Sequence, residues 1–132
     1  MDQMALDTIE LSRHLGLKKP HILGHSMGGM IAQSIAFHYP NEVGKTIFSQ
    51  TRIKLTASSL SLMDVTLELR ESGLPSKILT KIMMPWLMSN AFLENKQLCE
   101  QFIERREQLK YPISFNGNKK QLEALKDRKS VV

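Results

Sequence analysis

Apolar residues recur at helical spacing from the first turn of the chain. Met4, Ala5, Thr8, Leu11 and Leu15 fall on one stripe, and Gly16 follows as a C-terminal stop. The spacing predicts a helix over about residues 3–15. After Lys18-Lys19-Pro20 comes a short apolar run, His21-Ile22-Leu23-Gly24, which suits a buried strand between turn signals. Residues 27–39 are small or apolar on most faces, with Gly28, Gly29, Met30, Ile31, Ala32, Ile35 and Ala36. A helix with so little polar face should be buried. Pro40-Asn41 ends it, and Val43 to Ser49 reads as a second short strand. The order helix, strand, helix, strand is the repeating unit of an α/β protein with a parallel sheet.

Beyond about residue 55 the pattern is helical throughout, and no strand pattern occurs. Leu60 to Glu71 is ended by Ser72-Gly73, and Pro75 opens a helix carrying Ile78, Leu79, Ile82 and Met83. Pro85 should interrupt that helix before Trp86-Leu87-Met88. A third stretch spans about Ala91 to Lys110, and after Tyr111-Pro112 a last one reaches Asp127. Two regions are expected, 1–55 and 56–132.

The chain has 132 residues, enough for one compact domain, and a hydrophobic share of 42% supplies a core. The net charge of +5 permits weak attraction to anions. The densest basic cluster, Lys119, Lys120, Lys126, Arg128 and Lys129, is punctuated by Glu123 and Asp127, so it reads as a solvated helix face and nucleic acid is not an expected partner. The single cysteine, Cys99, forms no intrachain disulfide and is expected to be buried and inert. No apolar run has the length of a membrane span and the N-terminus has no secretory pattern, so the expected location is cytoplasmic, with no membrane partner.

One motif carries chemistry. Gly24-His25-Ser26-Met27-Gly28-Gly29 has the core Gly-x-Ser-x-Gly between an expected strand and an expected helix. In that context a serine sits on a sharp, strained turn whose neighbours must be small. Gly24 and Gly28 would leave room for the turn and for close approach of helix to strand. The helix N-terminus would aim the Met27 N–H at a developing oxyanion. A glycine-rich turn with an incidental serine is the bland alternative, and the extra Gly29, the apolar strand and the apolar helix weigh against it. A phosphate loop would need a following Gly-Lys-Ser/Thr, which is missing.

His21 to Gly29, with Ala32 and Tyr39-Pro40, resembles the elbow strand and helix of the α/β-hydrolases. Pro85-Trp86-Leu87, Phe92-Leu93, Tyr111-Pro112 and Gln121-Leu122-Glu123-Ala124-Leu125 look like the helical cap of the enol-lactonase-like or esterase-like branch. The resemblance covers about residues 3–127. It implies an α/β fold: a truncated hydrolase core of two parallel strands with flanking helices, plus a helical cap. It also implies attack by Ser26 on an ester or lactone carbonyl, with no metal or organic cofactor. Trp86, Met88 and Phe92, with Met83 and Met84, would line a cap pocket for a hydrophobic small molecule, although core packing is the simpler reading at each position.

The rest of the family's triad is not recognisable. Its order is serine, acid, histidine. His14, His21, His25 and His38 all precede or closely follow the elbow, and Arg128 to Val132 holds neither an acid nor a histidine. After the second strand, where some members carry the acid, the chain reads Ser49-Gln50-Thr51-Arg52. His25 should pack or hydrogen-bond beneath the turn, His38 should be a surface position, and Asp64 and Glu68 should face solvent. The chain thus reads as the middle of a hydrolase, inactive alone. Two parallel strands would leave open edges, so a homo-oligomer assembled through strand edges or cap helices is expected. A noncatalytic assembly module is the alternative function.

Overall fold

The computed structural model describes residues 1–127 and divides into two compact units. One is Met1–Ala57 with the described residues from Glu123 onward, and the other is Ser58–Leu122. Arg128 and Lys129 of the basic cluster, and the stretch Arg128 to Val132, lie outside the described residues.

The first unit opens with α1 (Asp2–His14), carrying an acid in its first turn and Arg13 and His14 in its last, as the helix dipole favours. Gly16 at φ 67° ends it: Gly16 N–H bonds to the Arg13 carbonyl and Leu17 N–H to the Ser12 carbonyl, both at 3.0 Å, a Schellman closure. Then follow β1 (Ile22–His25), α2 (Met27–His38) and β2 (Thr46–Ser49). The strands pair in parallel, with Ile22 opposite Thr46, Leu23 opposite Ile47, Gly24 opposite Phe48 and His25 opposite Ser49.

Strand, helix, parallel strand is the expected order, and α2 is buried as its composition requires. It packs against α1 and against both strands, which buries Gly29, Met30, Ala32, Ser34 and Ile35 around much of its circumference. The core joins Ala5 and Ile9 of α1 to Ile35 and Val43, with Ile22, Ile31 and Tyr39 against it. The one buried polar residue of α2, Ser34, donates to the Asp2 carboxylate at 2.6 Å. The second strand is shorter than expected. Val43 belongs to the core, but Gly44 N–H bonds to the Pro20 carbonyl, and strand pairing begins only at Thr46.

The described residues of the second unit form helices joined by turns, with no strand. Its elements are α3 (beginning at Ala57 and ending at Glu71), α4 (Ser76–Leu87), α5 (Asn90–Glu94), α6 (Lys96–Glu107) and α7 (Phe115–Lys126, whose last turn groups with the first unit). Gly73, at φ 80°, closes α3 with the same pair of bonds as Gly16 closes α1.

Two sequence expectations change here. Pro85 does not interrupt α4. It lies in the last turn, where only one ladder bond is forfeited, and Met88 N–H still reaches the Met84 carbonyl at 2.9 Å. The stretch expected as one helix from Ala91 is two. Asn95 breaks it, because its side-chain oxygen accepts from Leu98 N–H at 3.1 Å and caps α6.

Candidate functional site

The site is built where β1 turns into α2. Ser26 has φ 53° and ψ −120°, a backbone conformation that costs an L-residue about 1–3 kcal/mol and persists only where its surroundings impose it. Those surroundings come from the end of β2. Ser26 N–H donates to the Ser49 carbonyl at 3.0 Å. The Ser26 carbonyl accepts from the Thr51 hydroxyl at 2.8 Å, from Gly29 N–H at 3.0 Å and from Met30 N–H at 3.3 Å. Gln50, itself at φ 45°, turns the chain between Ser49 and Thr51.

Glycine is required at two positions of the turn, and they are not both the expected ones. A Cβ on Gly24 would run into the Gly28 carbonyl oxygen and lie 2.7 Å from Ala32 Cβ. A Cβ on Gly29 would lie 2.5 Å from Thr51 Cβ. A Cβ on Gly28 would meet nothing within 4 Å, so Gly28 is not needed for clearance. What Gly28 contributes to the packing is its carbonyl, against which Gly24 closes.

Serine is among the best helix N-cap residues, yet Ser26 makes no side-chain cap bond at the head of α2 and is exposed. Its hydroxyl is therefore not spent on the helix. Met27 and Gly28 occupy the first two helical positions, whose N–H groups have no carbonyl four residues back inside the helix. The apex thus presents an exposed hydroxyl beside N–H groups at the positive end of a helix dipole.

Among the described residues Ser26 has no hydrogen bond or ion pair from its hydroxyl to a histidine or carboxylate. His25 Nδ1 lies 3.3 Å from Ser49 Oγ, across the strand pair and exposed. His21 lies at the other end of β1, about 16 Å from Ser26 at ordinary strand rise, and its Nδ1 accepts from Lys45 N–H at 2.9 Å. His38 ends α2, about 18 Å along the helix, exposed and 3.8 Å from the Asp2 carboxylate. His14 adjoins Arg13, which bonds to Glu42 beyond the far end of α2. Glu68 is exposed as expected, but Asp64 is half-buried and has a polar partner. Ser49-Gln50-Thr51-Arg52 supplies no acid. It supplies the brace of the turn, a role that sequence reasoning missed because it depends on which strand lies beside the turn.

The three residues expected to line a cap pocket differ in exposure and contacts. Trp86 is 65% exposed, Met88 is half-buried, and Phe92 packs edge-on against Phe102 at 6.0 Å between centroids. Met83 accepts a hydrogen bond from the Thr66 hydroxyl at 3.3 Å. A groove between α4, α5 and α6 is lined by Met84 but by none of Trp86, Met88 and Phe92. Cys99, expected to be buried, is half-buried beside that groove. Among the described residues no three His, Cys, Asp or Glu side chains converge as a metal site would require, and no helix is long and apolar enough to cross a membrane.

Comparison with known proteins bears on the fold. A family model described as the alpha/beta hydrolase fold matches residues 3–81. The chain is 34% identical over 70 residues to "Putative carbamate hydrolase RutD" of Agrobacterium fabrum, covering 53% of this chain and 27% of that protein. It is 34% identical over 55 residues to "3-oxoadipate enol-lactonase 2" of Acinetobacter baylyi, covering 42% and 21%. Among solved structures, one described as a "Putative non-heme bromoperoxidase BpoC" of Mycobacterium tuberculosis superposes with a TM-score of 0.83 at 23% identity, over 98% of this chain and 49% of that one. The matches therefore span about a quarter of the curated relatives' length and half of the solved chain. With a family model over more than half of its residues, the chain belongs to the α/β-hydrolase fold family.

Proposed function

We propose that Ser26 is the nucleophile of a serine hydrolase acting on an ester or lactone carbonyl. The observation that carries this reading is the exposed, uncapped Ser26 hydroxyl on a backbone held at φ 53°. In the reaction Ser26 Oγ adds to the carbonyl carbon and its proton passes to a base. The Met27 N–H donates to the oxyanion as it forms. Collapse expels the alcohol, or the ring oxygen of a lactone, and water then releases the acid from the acyl-serine. The relatives named as a carbamate hydrolase and an enol-lactonase act by name on carbonyl groups of this kind, which supports the class and leaves the substrate open. The reaction needs no metal or organic cofactor, and we place it in the cytoplasm.

The base is the missing part. With no histidine or carboxylate bonded to the Ser26 hydroxyl among the described residues, the serine stays protonated and these 132 residues alone are slow catalysts. The test is hydrolysis of p-nitrophenyl butyrate by this chain beside Ser26→Ala. Weak turnover lost in the variant supports the reading, and turnover unchanged in the variant overturns it.

A second reading, a noncatalytic assembly module, is favoured by a different observation. Leu23 and Ile47, opposite one another in the sheet, are 68% and 55% exposed, and each strand has one unpaired edge. Self-association through that surface is compatible with either reading.

A further inference from the structure

The two strands of the first unit enter their pairing through a contact that no backbone carbonyl makes. Gly44 N–H donates to the Pro20 carbonyl and Ile22 N–H to the Lys45 carbonyl, both at 2.9 Å. Between them Lys45 N–H donates to a side chain, His21 Nδ1, at 2.9 Å. Nδ1 therefore presents a lone pair, and the proton of the neutral ring is on Nε2. The ring fills the space of a missing side chain: a Cβ on Gly44 would run into Nδ1 and lie 2.8 Å from Cε1. Lys19, at φ 47°, turns the chain into this contact. His21 is exposed, so a proton reaches its ring from solvent.

We propose that His21 is an acid-released latch on the entry end of the strand pair. A proton on Nδ1 takes the lone pair and leaves two N–H donors facing each other, so the bond to Lys45 is lost and the ring leaves its seat over Gly44. No anion compensates. The other ionisable residues of the two segments, 17–21 and 41–45, are Lys18, Lys19, Glu42 and Lys45, and the one acid among them, Glu42, is bonded to Arg13. Among the described residues no carboxylate lies within 4.0 Å of the His21 ring. The elbow end carries a histidine too, but it responds differently. His25 Nδ1 meets the Ser49 hydroxyl, which can either donate or accept, so that contact survives protonation of the ring. The backbone bond there, from Ser26 N–H to the Ser49 carbonyl, involves no titrating atom. Acid thus opens the pair from its entry end and leaves the elbow closed. The latch does not depend on the chemistry of Ser26.

The test is amide hydrogen exchange of the intact chain at about pH 7.5 and about pH 5, either side of the ordinary imidazole range, with each rate divided by its intrinsic value at that pH. Protection of the Lys45 amide should fall about fivefold in acid, the worth of one hydrogen bond, while that of Ser26 stays constant. The Lys45 amide shift should follow the His21 ring signals through the same titration. His21→Phe keeps a ring over Gly44 but neither accepts nor titrates, so Lys45 should be weakly protected at both pH values. Gly44→Ala, which expels the ring from its seat, should give the same result with the histidine still present. Lys45 protection unchanged by acid in the wild type, an equal loss at Ser26, or a pH response that persists in either variant would overturn the proposal.

Discussion

Thr51 donates its hydroxyl hydrogen to the carbonyl oxygen of Ser26 at 2.8 Å, and its Cβ faces Gly29 so closely that no side chain fits between them. One residue beyond the second strand thus holds the strained turn at the end of the first, from the polar side and the apolar side together. Thr51→Val keeps the shape and removes the donor. It is expected to lower stability by about 1 kcal/mol, the net worth of one hydrogen bond, measured by urea denaturation. Unchanged stability would mean that the bond does not constrain the turn.

The glycines of the turn separate by what their missing side chains would meet. Gly24→Ala must displace the Gly28 carbonyl or Ala32, so it should cost about 1–3 kcal/mol. Gly28→Ala enters open space inside a helix and should be neutral or stabilising by up to about 1 kcal/mol. Thermal denaturation of the two variants side by side checks the ranking. Equal losses would refute this account of the turn.

The elbow was legible in the sequence, and its brace was not. Gly24-His25-Ser26-Met27-Gly28-Gly29 between an apolar strand and an apolar helix announces its geometry locally, because the turn's steric needs fall on adjacent residues. Thr51 lies 25 positions from Ser26, and only the register of the parallel strands brings them together. The helix break at Asn95 was readable in principle, since asparagine is a strong N-cap residue, but apolar residues on both sides masked it. Pro85 shows the converse, because a proline in a last turn costs a helix little. Trp86 shows why residue type does not fix burial: it follows Pro85 near the end of α4 and stays exposed.

Acid sensitivity is expected from the far end of the same unit. Arg13 Nε and Nη2 bond to the two carboxylate oxygens of Glu42, at 2.8 and 2.5 Å. That hydrogen bonding holds the Glu42 carboxyl below its ordinary value of 4.5 in the folded chain. A depressed folded pKa adds stability above the unfolded value and loses it as the pH falls through the folded one. Glu42→Gln should therefore lower the melting temperature at pH 7 and make its decline below about pH 4.5 shallower than in the wild type. Parallel curves for the two proteins at all pH values would rule the linkage out.

Self-association has a defined surface to test. Leu23→Lys with Ile47→Glu places opposite charges in register on the exposed sheet face without touching the core. Sedimentation velocity should show the wild type associating with concentration and the double variant shifted toward monomer, with stability changed by no more than about 0.5 kcal/mol. A wild type that stays monomeric at all concentrations would remove the assembly reading.

The account rests on the backbone of Ser26, and one solution measurement reads it directly. In a ¹⁵N-edited NOE spectrum of the intact chain, φ near 53° brings the Ser26 amide hydrogen close to its own Hα and gives a strong intraresidue cross-peak, as strong as those of Lys19 and Gln50, the two other non-glycine residues with positive φ among the described residues. A weak cross-peak at Ser26, of the size seen for ordinary helical residues of α2, would contradict it.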